Sequence, residues 1–150
     1  MLRVSKLTDY ATVVLAAMAE APAHLHAASG LAERTRLELP TVSKLLKQLA
    51  AAGLIESRRG VNGGYRLLRA PVAITVLEIY EAMEGKLAMT DCAEQPGACQ
   101  RESHCQVQQQ WRRISSVIAR AMADMTLADL HHPQAVPMRG KPVPVKVALG

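Results

Sequence analysis

"PTVSKLLKQLAAAGLIESRRGVNGGYRLLR", residues 40–69, changes its hydrophobic period part-way along, and that change decides the architecture. Pro40 suits the first turn of a helix, where its missing N–H has no partner to lose. Val42, Leu45, Leu46 and Leu49 follow at i, i+3, i+4 and i+7 and predict one buried stripe. Gly53 is placed for a left-handed cap, with Leu54 and Ile55 packing back on the helix. The opposite face carries Thr41, Ser43, Lys44, Lys47 and Gln48. Beyond residue 54 the pattern becomes two short strands around Asn62-Gly63-Gly64. An Asn-Gly pair predicts a tight hairpin in which both central residues take positive φ.

Working outward, "SGLAERTR" (29–36) reads as a preceding helix joined by the short link "LEL". Helix, short turn and a second helix with a polar, basic outer face form the helix-turn-helix layout, whose second helix enters the major groove. The hairpin, studded by Arg58, Arg59, Arg66 and Arg69, then reads as a wing that meets phosphates or the minor groove. An ordinary hairpin capping the core is the alternative. Upstream, Ser5 caps a helix with Leu7, Ala11, Val14 and Met18 at helical spacing, stopped by Pro22. Downstream, "ITVLEIYEAMEG" (74–85) opens with a Thr75/Glu78 capping box and closes at Gly85.

From Gln106, Val107, Trp111, Ile114, Ile118, Ala121 and Met125 recur at spacings of 4, 3, 4, 3 and 4, a seam of the coiled-coil type. The winged unit already has a core, so the seam predicts a two-fold homodimer; packing back on its own domain is the alternative. The expected fold is mainly α: a winged helix-turn-helix domain (1–85), a cysteine-bearing loop (86–105), a long dimerisation helix (106–130) and a disordered basic tail (131–150). The tail holds His131 and His132, which read as inert rather than as ligands.

Composition narrows the function. The chain has 150 residues, 49% apolar, with no phenylalanine, one tryptophan and three tyrosines, so its core is aliphatic. No apolar run approaches the ~18 residues of a membrane span. The N-terminus "MLRVSKLTDY" lacks the layout of a signal peptide, and a cytoplasmic location is expected. The net charge is +5, but residues 34–69 alone carry eight cations (Arg34, Arg36, Lys44, Lys47, Arg58, Arg59, Arg66, Arg69) against Glu38 and Glu56, a local +6. A basic segment in a chain otherwise near neutrality is the footprint of phosphate-backbone binding. Double-stranded operator DNA is therefore the expected partner, with no membrane and no small-molecule substrate. Arg34 and Arg36 are expected at the backbone entrance, and Thr41, Ser43, Lys44 and Lys47 on the recognition helix. Arg58, Arg59, Asn62, Gly63, Gly64 and Tyr65 complete the contact set on the wing. An enzyme is not expected: there is no C-x-x-C pair, no Gly-rich phosphate loop and no Ser/His/Asp set.

All three cysteines, Cys92, Cys99 and Cys105, lie within "DCAEQPGACQRESHC" (91–105), a segment with little apolar content. An odd number of thiols in a reducing compartment speaks against a disulfide staple. Soft thiolates select zinc, copper(I) or iron–sulfur clusters. The C-x6-C-x5-C spacing is wider than the pairs of structural zinc sites and is not a ferredoxin spacing. An iron–sulfur cluster, a zinc ion, a thiol redox switch and no cofactor at all remain as the alternatives.

Together, "LTDYA", "LAERTRLELPTVSKLLKQLAAAGLIESRRGVNGGYRL", "EAMEG" and the clustered cysteines, in this order, resemble the bacterial IscR–NsrR family of winged-helix regulators over roughly residues 1–130. "LPTVSKLLKQL" and "RGVNGGYRL" look most similar to proteobacterial regulators of the SUF cluster-assembly operon. The resemblance implies a transcriptional repressor that senses iron–sulfur cluster status. It implies a cluster held by Cys92, Cys99 and Cys105, two-iron (2Fe–2S) in the first instance, with four-iron (4Fe–4S) as the alternative. Regulators of the Isc type place a histidine where this chain has Gln108; the nitric-oxide sensors use an aspartate that Asp9 matches across the dimer. Asp9 is thus the expected fourth ligand ahead of His104, with Gln108 or no protein ligand as further alternatives. A nitric-oxide or redox-sensing repressor, or a zinc or thiol-switch regulator, are the alternative functions.

Overall fold

The computed structural model describes residues 4–131. Seven α-helices and a two-stranded antiparallel sheet follow one another as α1 (Lys6–Ala19), α2 (Ala28–Thr35), α3 (Leu39–Ala51), β1 (Ile55–Arg58), β2 (Gly64–Leu67), α4 (Val76–Glu84), α5 (Asp91–Glu94), α6 (Gln108–Ala123) and α7 (Leu127–His131). The mainly α, winged architecture expected from the sequence is present.

Local chemistry sets the element ends. The Ser5 hydroxyl accepts the Thr8 N–H at 3.2 Å and starts α1. Glu84, at the far end of α4, also accepts from the Ser5 N–H and the Thr8 hydroxyl, tying α4 to α1. These hydrogen bonds hold the Glu84 carboxyl below its ordinary value. Arg36 takes a left-handed conformation (φ 56°) after α2 and turns the chain into α3. On α3 the predicted stripe Val42, Leu45, Leu46 and Leu49 is fully buried. Gly53 (φ 73°) closes that helix while the Leu54 N–H returns to the Leu49 carbonyl at 3.0 Å. The Thr75/Glu78 capping box opens α4, the Thr75 N–H donating to Glu78 at 2.8 Å. These turns bring Leu15, Met18, Leu31, Leu45, Leu46, Leu49, Ile55, Ile74 and Ile79 into one aliphatic core.

Two expectations are corrected. The wing does not turn at Asn62-Gly63: the register pairs Arg58 with Gly64, leaving 59–63 as a wider loop. Neither Asn62 nor Gly63 takes positive φ; Gly60 does, at 118°. The Gly63 N–H closes the loop on the Gly60 carbonyl at 2.9 Å. The strand pair is also extended by His26, whose N–H and carbonyl bond Tyr65 at 2.7 and 2.9 Å.

The expected helix 106–130 is interrupted. α6 ends at Ala123, and Thr126 forms an isolated antiparallel bridge with Thr75. Val76 donates to the Met125 carbonyl at 2.9 Å, and Leu127 to the Ile74 carbonyl at 2.8 Å. Burial drives the break: Leu127 is 0% exposed in the core, and α7 folds back on α1. A Thr126–Asp129 cap seals the start of α7, with the Thr126 N–H donating to Asp129 at 2.8 Å. His131 ends this helix rather than opening a tail; the rest of the expected tail, 132–150, lies outside the described residues.

Candidate nucleic-acid interface and thiol loop

Because the apolar stripe of α3 is consumed by the core, its other face is presented outward. Lys44 and Lys47 are exposed there, with Thr41 and Ser43 half-buried beside them. Gln48 carries a buried side-chain oxygen with no hydrogen-bond partner. The eight cations of 34–69 divide into two groups. Arg34 bonds Glu20 and the Ala17 carbonyl and so is turned toward α1. Arg66 is paired with Glu56, with Arg58 at 3.8 Å from the same carboxylate. Arg69 binds Glu78 at 2.8 Å and the Ala73 carbonyl at 2.9 Å. Arg36, Lys44, Lys47 and Arg59 are exposed and make no ion pair among the described residues. Burial pushes the Glu78 carboxyl up, but the Thr75 N–H and the Arg69 guanidinium outweigh it and hold the carboxyl below its ordinary value.

Within the wing, Arg59, Val61 and Asn62 are exposed at the tip, while Gly63, Gly64 and Tyr65 are half-buried. A Cβ on Gly63 would overlap the Arg58 carbonyl oxygen, and one on Gly64 would lie 2.8 Å from that of His26. These glycines shape the wing; they offer no side chain to DNA. The outward face of α3 thus carries exposed Lys44 and Lys47, and the wing tip carries exposed Arg59.

The thiol loop is built from the single turn α5 and a 3-10 turn at Glu102–His104. Cys92 is buried, with the Thr90 hydroxyl 3.3 Å from its sulfur; Cys99 and Cys105 are half-buried, and all three thiols are free. His104 is exposed. Asp9 stands away from the loop in sequence, exposed on the first turn of α1. It lines a cavity of about 540 Å³ with Val4, Lys6, Thr12, Val76, Tyr80 and Met122, and no cysteine borders that cavity. Among the described residues no three Cys, His, Asp or Glu side chains converge closely enough to hold a metal ion. The donor chemistry fits a soft metal or cluster; the convergence is not in place.

What holds the loop was not foreseen from the sequence. Glu102 accepts from the Gln108 amide and from Arg112 (2.8 Å) with one oxygen, and from the Gly97 N–H with the other. Arg112 also donates to the Cys92 carbonyl at 3.0 Å. Ser115, buried, accepts the Met89 N–H at 3.0 Å and donates to the Trp111 carbonyl at 3.0 Å. Gln108, Arg112 and Ser115 lie at i, i+4 and i+7, so one polar stripe of α6 grips the loop. That spacing is visible in the sequence but is overshadowed by the apolar seam beside it. The first half of the seam is exposed in the single chain, Val107 at 53%, Trp111 at 39% and Ile114 at 41%, whereas Ile118 and Met125 are half-buried where α6 packs beside α4.

Residues 4–133 match the family described as Rrf2, iron-dependent transcriptional regulator. The chain belongs to the Rrf2 family. Among its relatives, the HTH-type transcriptional regulator IscR of Erwinia tasmaniensis is 30% identical over 87% of this chain and 81% of its own length. IscR of Aliivibrio salmonicida is 32% identical over 83% of this chain and 76% of its own length. Among solved structures, CymR (YrzC), the global cysteine regulator of B. subtilis, superposes with TM-score 0.69 at 25% identity, covering 89% of this chain and 99% of CymR. T. potens IscR gives 0.65 at 28% identity over 86% and 85%. The Rrf2 chain is accordingly a DNA-binding transcription regulator, not an enzyme. No helix among its described residues is long and apolar enough to cross a membrane.

Proposed function

We propose that this regulator is a cytoplasmic, homodimeric repressor that reads iron–sulfur cluster supply through its thiol loop and controls SUF-type cluster-assembly genes. One observation carries the reading: every thiol of the chain lies on a loop anchored to the same helix whose apolar seam is exposed at Val107, Trp111 and Ile114. A second copy paired along Val107, Trp111, Ile114, Ile118 and Ala121 would bury that seam and set the distance between two α3 helices. The IscR relatives and the iron-dependent description of the family support the cluster. Cys92, Cys99 and Cys105 would hold it, with Asp9 completing the set across the dimer. A bound cluster would supply links between thiolates that break when iron is scarce or oxidants arrive. The chain's own part is to bring Cys99 and Cys105 toward the buried Cys92 and to pass the loop's state into α6. Arg36, Lys44, Lys47 and Arg59 would bind phosphate, and Thr41 and Ser43 would approach base edges.

The test is anaerobic purification followed by visible and Mössbauer spectroscopy with iron, sulfide and zinc counts. In parallel, operator binding is compared between the parent and a variant with all three cysteines replaced by serine. A cluster-loaded parent whose affinity differs from the variant by ~5–150-fold is expected for an allosteric coupling of the usual size. Colourless, zinc-loaded protein would demote the cluster. A thiol switch is the second reading, favoured by the three free, unconverged thiols and by the fold shared with the cysteine regulator CymR. Iron-free protein that responds to oxidants would select it.

A further inference from the structure

The geometry points to Arg112 as the positioning residue that couples the state of the thiols to α6, acting through Glu102. The inference rests on the thiol-sensing reading above and names the part that transmits it. Arg112 is the one side chain of α6 that bonds both sides of the cysteine segment: Nε to the carbonyl of Cys92 and Nη2 to Glu102, three residues before Cys105. Glu102 also receives the Gly97 N–H, two residues before Cys99, and the Gln108 amide from the first turn of α6. All three cysteine-bearing stretches thus meet in one charge-assisted network on α6, although their sulfurs do not meet. Any change that draws the thiols together, or makes one bulkier, must alter the path of 92–105 and pull on this network. A planar guanidinium forked between two acceptors transmits direction as well as force, which a lysine ammonium does not. The residue before it on the helix is Trp111, the lone tryptophan of the chain and a member of the exposed part of the seam. Ser115 donates to its carbonyl and holds Met89 from the near side of the loop. A displacement of the loop therefore arrives at the seam within one helical turn.

The experiment uses the full-length protein with its thiols free, alkylated by iodoacetamide, or reconstituted with iron and sulfide. Three readouts are taken in each state: amide hydrogen exchange over 108–123, Trp111 emission and operator affinity. In the parent, exchange in α6 and Trp111 emission are expected to change with thiol state. In Arg112→Lys the thiols should react as in the parent, but the state-dependent change in exchange should shrink by about tenfold, an energy of 1.4 kcal/mol. Any ratio of operator affinities between states should fall to within roughly twofold of unity. Glu102→Gln keeps the shape of the network and provides a second variant if the lysine form folds poorly; the same loss of response is expected. A parent whose α6 ignores thiol state, or a variant that responds as the parent does, overturns the coupling. If α6 responds but operator affinity never does, the sensing function fails while the coupling stands.

Discussion

Gly63 and Gly64 sit side by side in the wing and are required by two different neighbours: a Cβ would strike the Arg58 carbonyl at one and the His26 carbonyl at the other. The sequence marks both as turn residues, yet neither supplies the positive φ that an Asn-Gly hairpin needs; Gly60 does that. Close approach of distant backbone leaves no mark in a local pattern, which is why the turn was legible and its mechanism was not. Gly63→Ala should therefore cost about 1–3 kcal/mol in urea unfolding and loosen the wing. Ion pairing sorts the cations in the same way. Arg59→Ala should lower the salt dependence of operator binding by about 0.9 unit for the lost phosphate contact. Arg66→Ala, which mainly frees Glu56, should change that slope much less; titrations at several salt concentrations separate the two.

At the scale of elements, α3 is as the sequence reads it because its stripe, cap and Pro start agree on one answer. α6 and α7 are where the reading parts from the structure. Met125 continues the 4, 3 spacing by coincidence, while "TLAD" at 126–129 holds a helix-start signature that the seam concealed. Leu127→Ala should destabilise the protein by roughly 2–5 kcal/mol in thermal or urea unfolding, as expected for an emptied leucine site. The carboxylate caps make the joints between elements sensitive to acid. Glu84, Glu78 and Asp129 are all held below their ordinary values by hydrogen bonds from Ser5 and Thr8, from Thr75 and Arg69, and from Thr126. Their stabilising contribution is complete above the unfolded-state values of about 4 and is lost as pH falls through the lower folded values. Thermal midpoints measured downward from pH 6 should fall below about pH 4, and Glu84→Gln should flatten that fall.

For the whole molecule, the sequence marks candidate side chains for a thiol centre and a DNA surface, but not how the loop is held. The hydrogen bonds of Glu102 and Arg112 join residues up to twenty apart, and only the folded chain brings them together. The seam was legible because periodicity is local, and its exposure in the single chain is the reason to expect a second copy. Ile114→Glu should give a folded monomer in sedimentation, with operator affinity reduced by about 10²–10⁴-fold through loss of the second half-site. A dimer that persists in this variant would show that the pairing runs along some other face.

The bridge between Thr75 and Thr126 has a consequence for how α6 can move. The loop network clasps the helix at its beginning, and the bridge with Leu127 moors it at its end. A rod held at both abutments is hindered from swinging, so a pull at its first turn would bear on its rotation about its own long axis. A tug from the cysteines would then be expressed as torque, re-aiming the seam like a key turned in a lock.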